Sequence, residues 1–292
     1  RRQRQMCIRD SNIGEALTFI FTSFIVGALG WQWGFMSAAC LGAIGVALIF
    51  TFLKPAPPEW KAGLPGSTSQ PKDSTVKHKQ AEVLKNPMIW MLALASAFMY
   101  ISRYAVNSWG VYYFEIEKSY NIVTASTLVS VSSVCGIVGT VFSGLISDKM
   151  FRSNRTIPAC LSSLLNLAAL ALFLFGPRQC EILDIISMIL FGISIGILLC
   201  FLGGLMAIDI APKEATGAAV GVIGIASYAA AGLQDVVSGF LIESRKAIVD
   251  GNPVYDFSAI RIFWLSAALV SLLFLLIIWG ARKKHVSSNI HY

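Results

Sequence analysis

Charge is scarce in this chain: Asp, Glu, Lys and Arg make up 13% of its 292 residues, about half the share usual for a soluble domain. With 55% hydrophobic residues and a mean hydropathy of +0.67, that scarcity excludes an ordinary water-soluble globule, and it equally excludes disorder. Histidine is nearly missing. The three present, His78, His285 and His291, lie in polar segments, so no imidazole proton relay is built into the apolar stretches. Six cysteines stand at 7, 40, 135, 160, 180 and 200 with no CxxC pair, which argues against a disulfide framework or a zinc site. There is no HExxH string and no facing pair of carboxylates within an apolar segment. An embedded enzyme is therefore not expected, nor a metal or other cofactor. The 23 Lys and Arg against 16 Asp and Glu leave a formal charge of +7. In a chain this apolar, such an excess reports basic loops rather than a nucleic-acid partner.

What the sequence has in abundance is long apolar runs. A bilayer core of about 30 Å needs roughly 20 apolar helical residues to cross it. Windows of that size lie near 13–30, 33–53, 88–113, 122–147, 157–176, 182–208, 215–242 and 259–281. The chain thus reads as an all-α polytopic membrane protein with eight spans in a lipid bilayer. Residues 54–87 break the series: a polar stretch with Lys54-Pro55-Ala56-Pro57-Pro58 and Gly66-Ser67-Thr68-Ser69 reads as a linker. It divides the chain into two spans (12–53) and six (88–281). Residues 1–11 match nothing downstream and read as a non-native leader, with the true N-terminus missing. Residues 282–292 form a short basic tail.

Lys and Arg counted over alternate loops fall thirteen to one side and five to the other. The first side holds the linker lysines, Lys149, Arg152, Arg155, Lys213 and Arg282 to Lys284. The second holds Lys118, Arg178, Arg245, Lys246 and Arg261. The positive-inside rule places the linker and the C-terminus in the cytoplasm.

Against that background a deep charge is a functional candidate, because it costs about 2.5–3.5 kcal/mol even on the mildest insertion scale. Arg103 is the foremost. Ser96, Tyr100, Arg103 and Asn107 follow helical offsets of 0, 4, 7 and 11 and share one face. The guanidinium is a permanently charged fork of donors matched to phosphate or carboxylate. Asp235, beside Gln234, is the second deep charge, on a stripe with Ser227, Ala231 and Ser238. It either contacts hydroxyls of a polar substrate, binds Arg103 in an empty site, or is paired structurally. Ser126, Ser130, Ser133 and Thr140 form another stripe, read as helix-internal or helix–helix bonding. Glycines at 136, 139 and 144, and at 217, 221 and 224, are spaced for close helix contact. The short mixed-charge turn with Gly144, Asp148, Lys149 and Arg155 is a candidate charge latch for gating.

Gly144-x-x-x-Asp148-Lys149 with Arg155 resembles the cytoplasmic loop motif of the major facilitator superfamily. Arg103-Tyr104-Ala105-Val106-Asn107-Ser108-Trp109-Gly110, Ser147 through Arg155, and Asp209-Ile210-Ala211-Pro212-Lys213-Glu214-Ala215-Thr216-Gly217 resemble its organophosphate:phosphate antiporter family, collinearly from Asn12 onward. The resemblance implies a twelve-helix fold in two halves, with these eight spans as helices five to twelve. It implies exchange of a sugar phosphate, glycerol phosphate or phosphoglycerate for inorganic phosphate by alternating access, in a bacterial inner membrane, with the full-length protein a monomer. It assigns Arg103 to the family's phosphate-binding arginine on the seventh helix, and leaves its partner arginine on a first helix. Gly144, Asp148, Lys149 and Arg155 fall on the gating motif. The stretch around Gln234 and Asp235 matches the part of the eleventh helix that selects among substrates. Ala105 to Gly110 and Val123-Thr124-Ala125 also resemble a sensor branch that signals to a partner histidine kinase.

Overall fold

The computed structural model describes residue 25 and residues 30–52, 73–145, 155–212, 215–249 and 252–288. Seven helices among these are long and apolar enough to cross a membrane. The expected first span, 13–30, lies outside the described residues apart from Ile25 and Gly30. The described residues fall into two compact units, one within Ile13–His78 and the other within Lys79–Tyr292. The smaller contributes α1 (Trp31–Phe52). Gly30 immediately before it has φ of +92°, a left-handed conformation that only glycine adopts without strain.

The linker is not structureless. Within it α2 spans Asp73–Lys85, where Lys, Gln, Glu and Ala favour helix. Asn86 then ends one helix and starts the next: its side chain accepts from the Met88 amide at 2.9 Å, and Pro87 occupies the first helical position, where its missing N–H is harmless. The second unit holds α3 (Pro87–Ile116), α4 (Ile122–Leu145), α5 (Thr156–Phe175), α6 (Glu181–Cys200), a π-helical turn (Phe201–Leu205), α7 (Met206–Ile210), α8 (Thr216–Ser244) and α9 (Ser258–Ser288). The run expected at 182–208 is therefore one longer helix, Glu181–Ile210, interrupted by a π turn. A hairpin invisible to the hydropathy pattern joins α8 to α9: β1 (Lys246–Val249) pairs antiparallel with β2 (Asn252–Tyr255). Asp256 caps α9 by accepting from the Ser258 amide at 2.9 Å. That backbone bond, the Ser258 hydroxyl and Arg245 hold its carboxyl below the usual range.

In the second unit α3 is central, packed against α8 and α9 and also touching α4, while α5 lies between α6 and α9. Tyr113, Phe114, Phe173, Phe257 and Trp264, all at 2% exposure or less, form an aromatic core at one end. Tyr113 satisfies its hydroxyl by donating to the Leu174 carbonyl at 2.8 Å.

The α4–α6 seam explains half of the glycine pattern. A Cβ at Gly139 would stand 2.3 Å from the Ile193 carbonyl oxygen, and one at Gly196 would stand 2.1 Å from that of Gly136. Thr140 bonds within its helix to Gly136 O and across to Gly196 O, at 2.9 and 3.3 Å, in keeping with the expectation for that stripe. Gly217, Gly221 and Gly224 differ: a Cβ there meets nothing within 4 Å, so close contact is not their reason. Gly196→Ala is expected to destabilise the protein by about 1–3 kcal/mol, because backbone must move. Gly224→Ala should be neutral or stabilising by up to about 1 kcal/mol. Thermal unfolding in detergent compares the two.

Candidate functional site

The stripe on α3 meets α8. Ser96 and Ser227, both buried, share a hydrogen bond at 2.8 Å, which pins the two helices one turn from Tyr100. Tyr100 stacks with Tyr104 at 6.0 Å and meets Tyr228 edge-on at 5.5 Å. The Arg103 guanidinium carbon lies 5.8 Å from the Tyr100 ring centre and 5.6 Å from that of Tyr104. Two aromatic rings thus orient one half-buried fork of donors, each contributing about 0.5–2 kcal/mol of cation–π attraction. Asn107, one turn further, is half-buried as well.

Gln234 and Asp235 are adjacent in sequence but about 100° apart around α8, and they serve different neighbours. Asp235, half-buried, accepts from Trp109 Nε1 of α3 at 3.3 Å. Gln234, fully buried, donates to Ser238 Oγ at 3.0 Å, which also receives Trp264 Nε1 of α9 at 3.0 Å. Asp235 therefore meets α3 at Trp109, about 120° around that helix from Arg103, and Gln234 belongs with the α8–α9 seam. Two neighbours escaped the sequence reading. Trp109 stood in a quoted motif without a role, and Tyr228 sits one step around the helix from the stripe residue Ser227.

At one end of the bundle, Gly144 lies half-buried near the end of α4. Asp148 and Lys149 lie outside the described residues. Arg155 is 6% exposed: its Nη1 donates to the Leu205 carbonyl at 2.7 Å and to Asp209 Oδ1 at 2.8 Å. One cation thereby caps a carbonyl at the end of the π turn, where regular helical bonding is interrupted, and pairs with an acid from the next helix. Asp209 is the one acid between Asp184 and Glu214, a signal that could have identified it. Arg155→Met is expected to lower stability by about 1–3 kcal/mol, since it takes the side-chain donor from the Leu205 carbonyl, whereas Asp209 is exposed and stays hydrated. Asp209→Asn keeps an acceptor and should lose less, as thermal unfolding would register.

The loop lysine Lys118, counted with the smaller group of basic residues, is buried like Arg155. It is 1% exposed and pairs with Asp184, which also accepts from Tyr120 Oη at 2.9 Å. Burial and that carboxylate together push the Tyr120 phenol up, so it stays a donor throughout the physiological range. A charge paired inside the bundle carries little information about orientation.

The sequence profile described as Major Facilitator Superfamily matches residues 11–234. The chain belongs to that superfamily and is an all-α, multi-pass membrane protein. It is 29% identical over 238 residues to the membrane sensor protein UhpC of Escherichia coli, covering 76% of this chain and 53% of that protein. It is 29% identical over 225 residues to the glycerol-3-phosphate transporter of Bacillus subtilis, covering 75% and 48%. These relatives are consistent with the organophosphate:phosphate antiporter family that the motifs resemble. The chain spans about half the length of the curated relatives it matches. A crystal structure of the nucleoside transporter NupG superposes with a TM-score of 0.66 at 17% identity, over 91% of this chain and 65% of that one, a likeness of fold.

Proposed function

We propose that the protein moves phosphorylated organic molecules across the membrane in exchange for inorganic phosphate, by alternating access. The observation that carries this reading is the guanidinium of Arg103, deep in a membrane-spanning helix and oriented by Tyr100 and Tyr104. A planar, always charged fork suits the one group common to both cargoes, the phosphoryl head. Tyr100, Asn107 and Tyr228 would contact the phosphoryl oxygens or the organic part, and Asp235, together with Trp109, its hydroxyls. Gln234 would act from behind, by fixing α8 against α9. Arg155 with Asp209, joined by Gly144, Asp148 and Lys149, would latch one end shut, on the cytoplasmic side. In this topology residues 54–87 and the C-terminal tail are cytoplasmic, and the eight spans are the fifth to twelfth helices of the fold. The similarity to a glycerol-3-phosphate transporter supports the substrate class.

Proteoliposomes loaded with inorganic phosphate test the exchange. Uptake of a labelled phosphate ester should require internal phosphate, and uptake that ignores it would refute the antiport. The similarity to UhpC favours one rival, a sensor that binds a sugar phosphate and signals to a histidine kinase. Such a protein would bind the ester with little flux, so measuring both quantities on one preparation separates the two.

A further inference from the structure

At the end of the bundle opposite the Arg155–Asp209 pair there is a cavity of about 300 Å³, lined by residues that include Tyr113, Glu117, Lys118, Gly176, Arg178 and Arg261. Its volume is at the lower end of the range for small-ligand sites, about 300–1,000 Å³. Glu117 lies fourteen residues beyond Arg103, about 21 Å along α3, so this is a separate place. Arg178 and Arg261 both donate through Nη2 to the same carboxylate oxygen, Glu117 Oε1, the former at 2.9 Å. Lys118, on the same wall, is already neutralised by Asp184. Two guanidiniums therefore share one acid, leaving an excess positive charge at the cavity. Arg261 is held with its guanidinium carbon 5.7 Å from the Tyr113 ring centre, and its Nε is sealed from water with no acceptor among the described residues. A buried charged donor without an acceptor is unfavourable unless something supplies one.

We propose that this cavity is a second oxyanion site, which takes a phosphate group between Arg178 and Arg261. Glu117 occupies it in the ligand's absence, its Oε1 marking where a phosphate oxygen binds. Convergent guanidinium forks match the several oxygens of a phosphate better than they match one carboxylate oxygen. Arg178, 70% exposed at its side chain, is free of packing that would prevent it from turning to the ligand. The group can come from a soluble phosphate or from a lipid headgroup at the membrane surface. The inference does not depend on the role proposed for Arg103.

The test uses the purified protein carrying Arg103→Gln, so that the deep arginine contributes nothing. Sodium phosphate is titrated at an ionic strength held constant with sodium chloride, and hydrogen exchange is followed at residues 113–120 and 174–180. Phosphate should slow exchange there in the Arg103→Gln background. Glu117→Gln removes the internal competitor and should tighten apparent binding about tenfold. Arg261→Gln should weaken it about tenfold, the loss of one charge-assisted bond, with Arg261→Lys intermediate as a charge-preserving control on folding. The same measurement in nanodiscs distinguishes the sources. Protection by phosphatidylglycerol that free phosphate cannot displace assigns the site to a headgroup. Protection that follows phosphate in phosphatidylcholine discs assigns it to the soluble ion. Protection by neither, or a Glu117→Gln variant that binds phosphate no more tightly than its parent, overturns the proposal.

Discussion

Arg103→Lys is expected to weaken phosphate binding and slow exchange about 10- to 100-fold. The substitution keeps the charge and nearly the length of the side chain, so a site that needs only a cation would tolerate it. What it removes is the fork. An ammonium offers three donors around a point, whereas the guanidinium presents parallel N–H groups in a plane. Here the central carbon of the guanidinium lies 5.8 and 5.6 Å from the Tyr100 and Tyr104 ring centres. Losing one charge-assisted hydrogen bond removes about 1.5–3 kcal/mol, and each 1.4 kcal/mol is a factor of ten. The measurement is phosphate-dependent hydrogen exchange at residues 96–107, which reads this site separately from the cavity at Glu117, together with ester uptake into vesicles. Tyr100→Phe, which keeps the ring, should leave the arginine in place and cause a smaller loss. Phosphate affinity and exchange near the parent's level in Arg103→Lys would sink the assignment of Arg103 to the phosphoryl group.

Lys118→Met should be the most destabilising single change in the α3–α4 connection. It leaves the Asp184 carboxylate, 1% exposed, with Tyr120 as its partner. Breaking a buried pair from one side typically loses about 3–5 kcal/mol, because an uncompensated charge remains. Unfolding temperature in detergent should fall by roughly 6–20 °C, on the scaling for domains of this size. The double variant Lys118→Met with Asp184→Leu should recover most of the loss, since both desolvation penalties disappear together. Tyr120→Phe removes a single hydroxyl and should lose only about 1 kcal/mol. A double variant no more stable than Lys118→Met would mean that the pair itself, rather than the orphaned charge, holds the loop to α6.

The spans and the deep arginine could be read from sequence for the same reason. Crossing an apolar layer forces about twenty apolar residues in a row, with backbone bonds closed inside each helix, so one local pattern fixes the element. A charge in that pattern stands out unaided, as Arg103 does. Neighbouring spans follow the expected windows closely, with α3 at Pro87–Ile116 and α5 at Thr156–Phe175. The hairpin Lys246–Tyr255 escaped because two four-residue strands have no periodicity that rises above their loop. The helix Asp73–Lys85 escaped because its neighbours are proline, glycine and serine, which dominate a composition window.

Sequence alone determined which long apolar stretches form helices among the described residues, and which polar side chains share a face, since these depend on neighbours within four residues. Tertiary structure decided whom each of those side chains meets: Asp235 with Trp109, Arg155 with Asp209, Lys118 with Asp184, and Gln234 with Ser238 beside Trp264. Except for the one-turn bond from Gln234 to Ser238, the partners stand 26 or more positions apart. Only the packing of helices brings such groups together, and the strength of a charge contact depends on the distance and burial that packing sets.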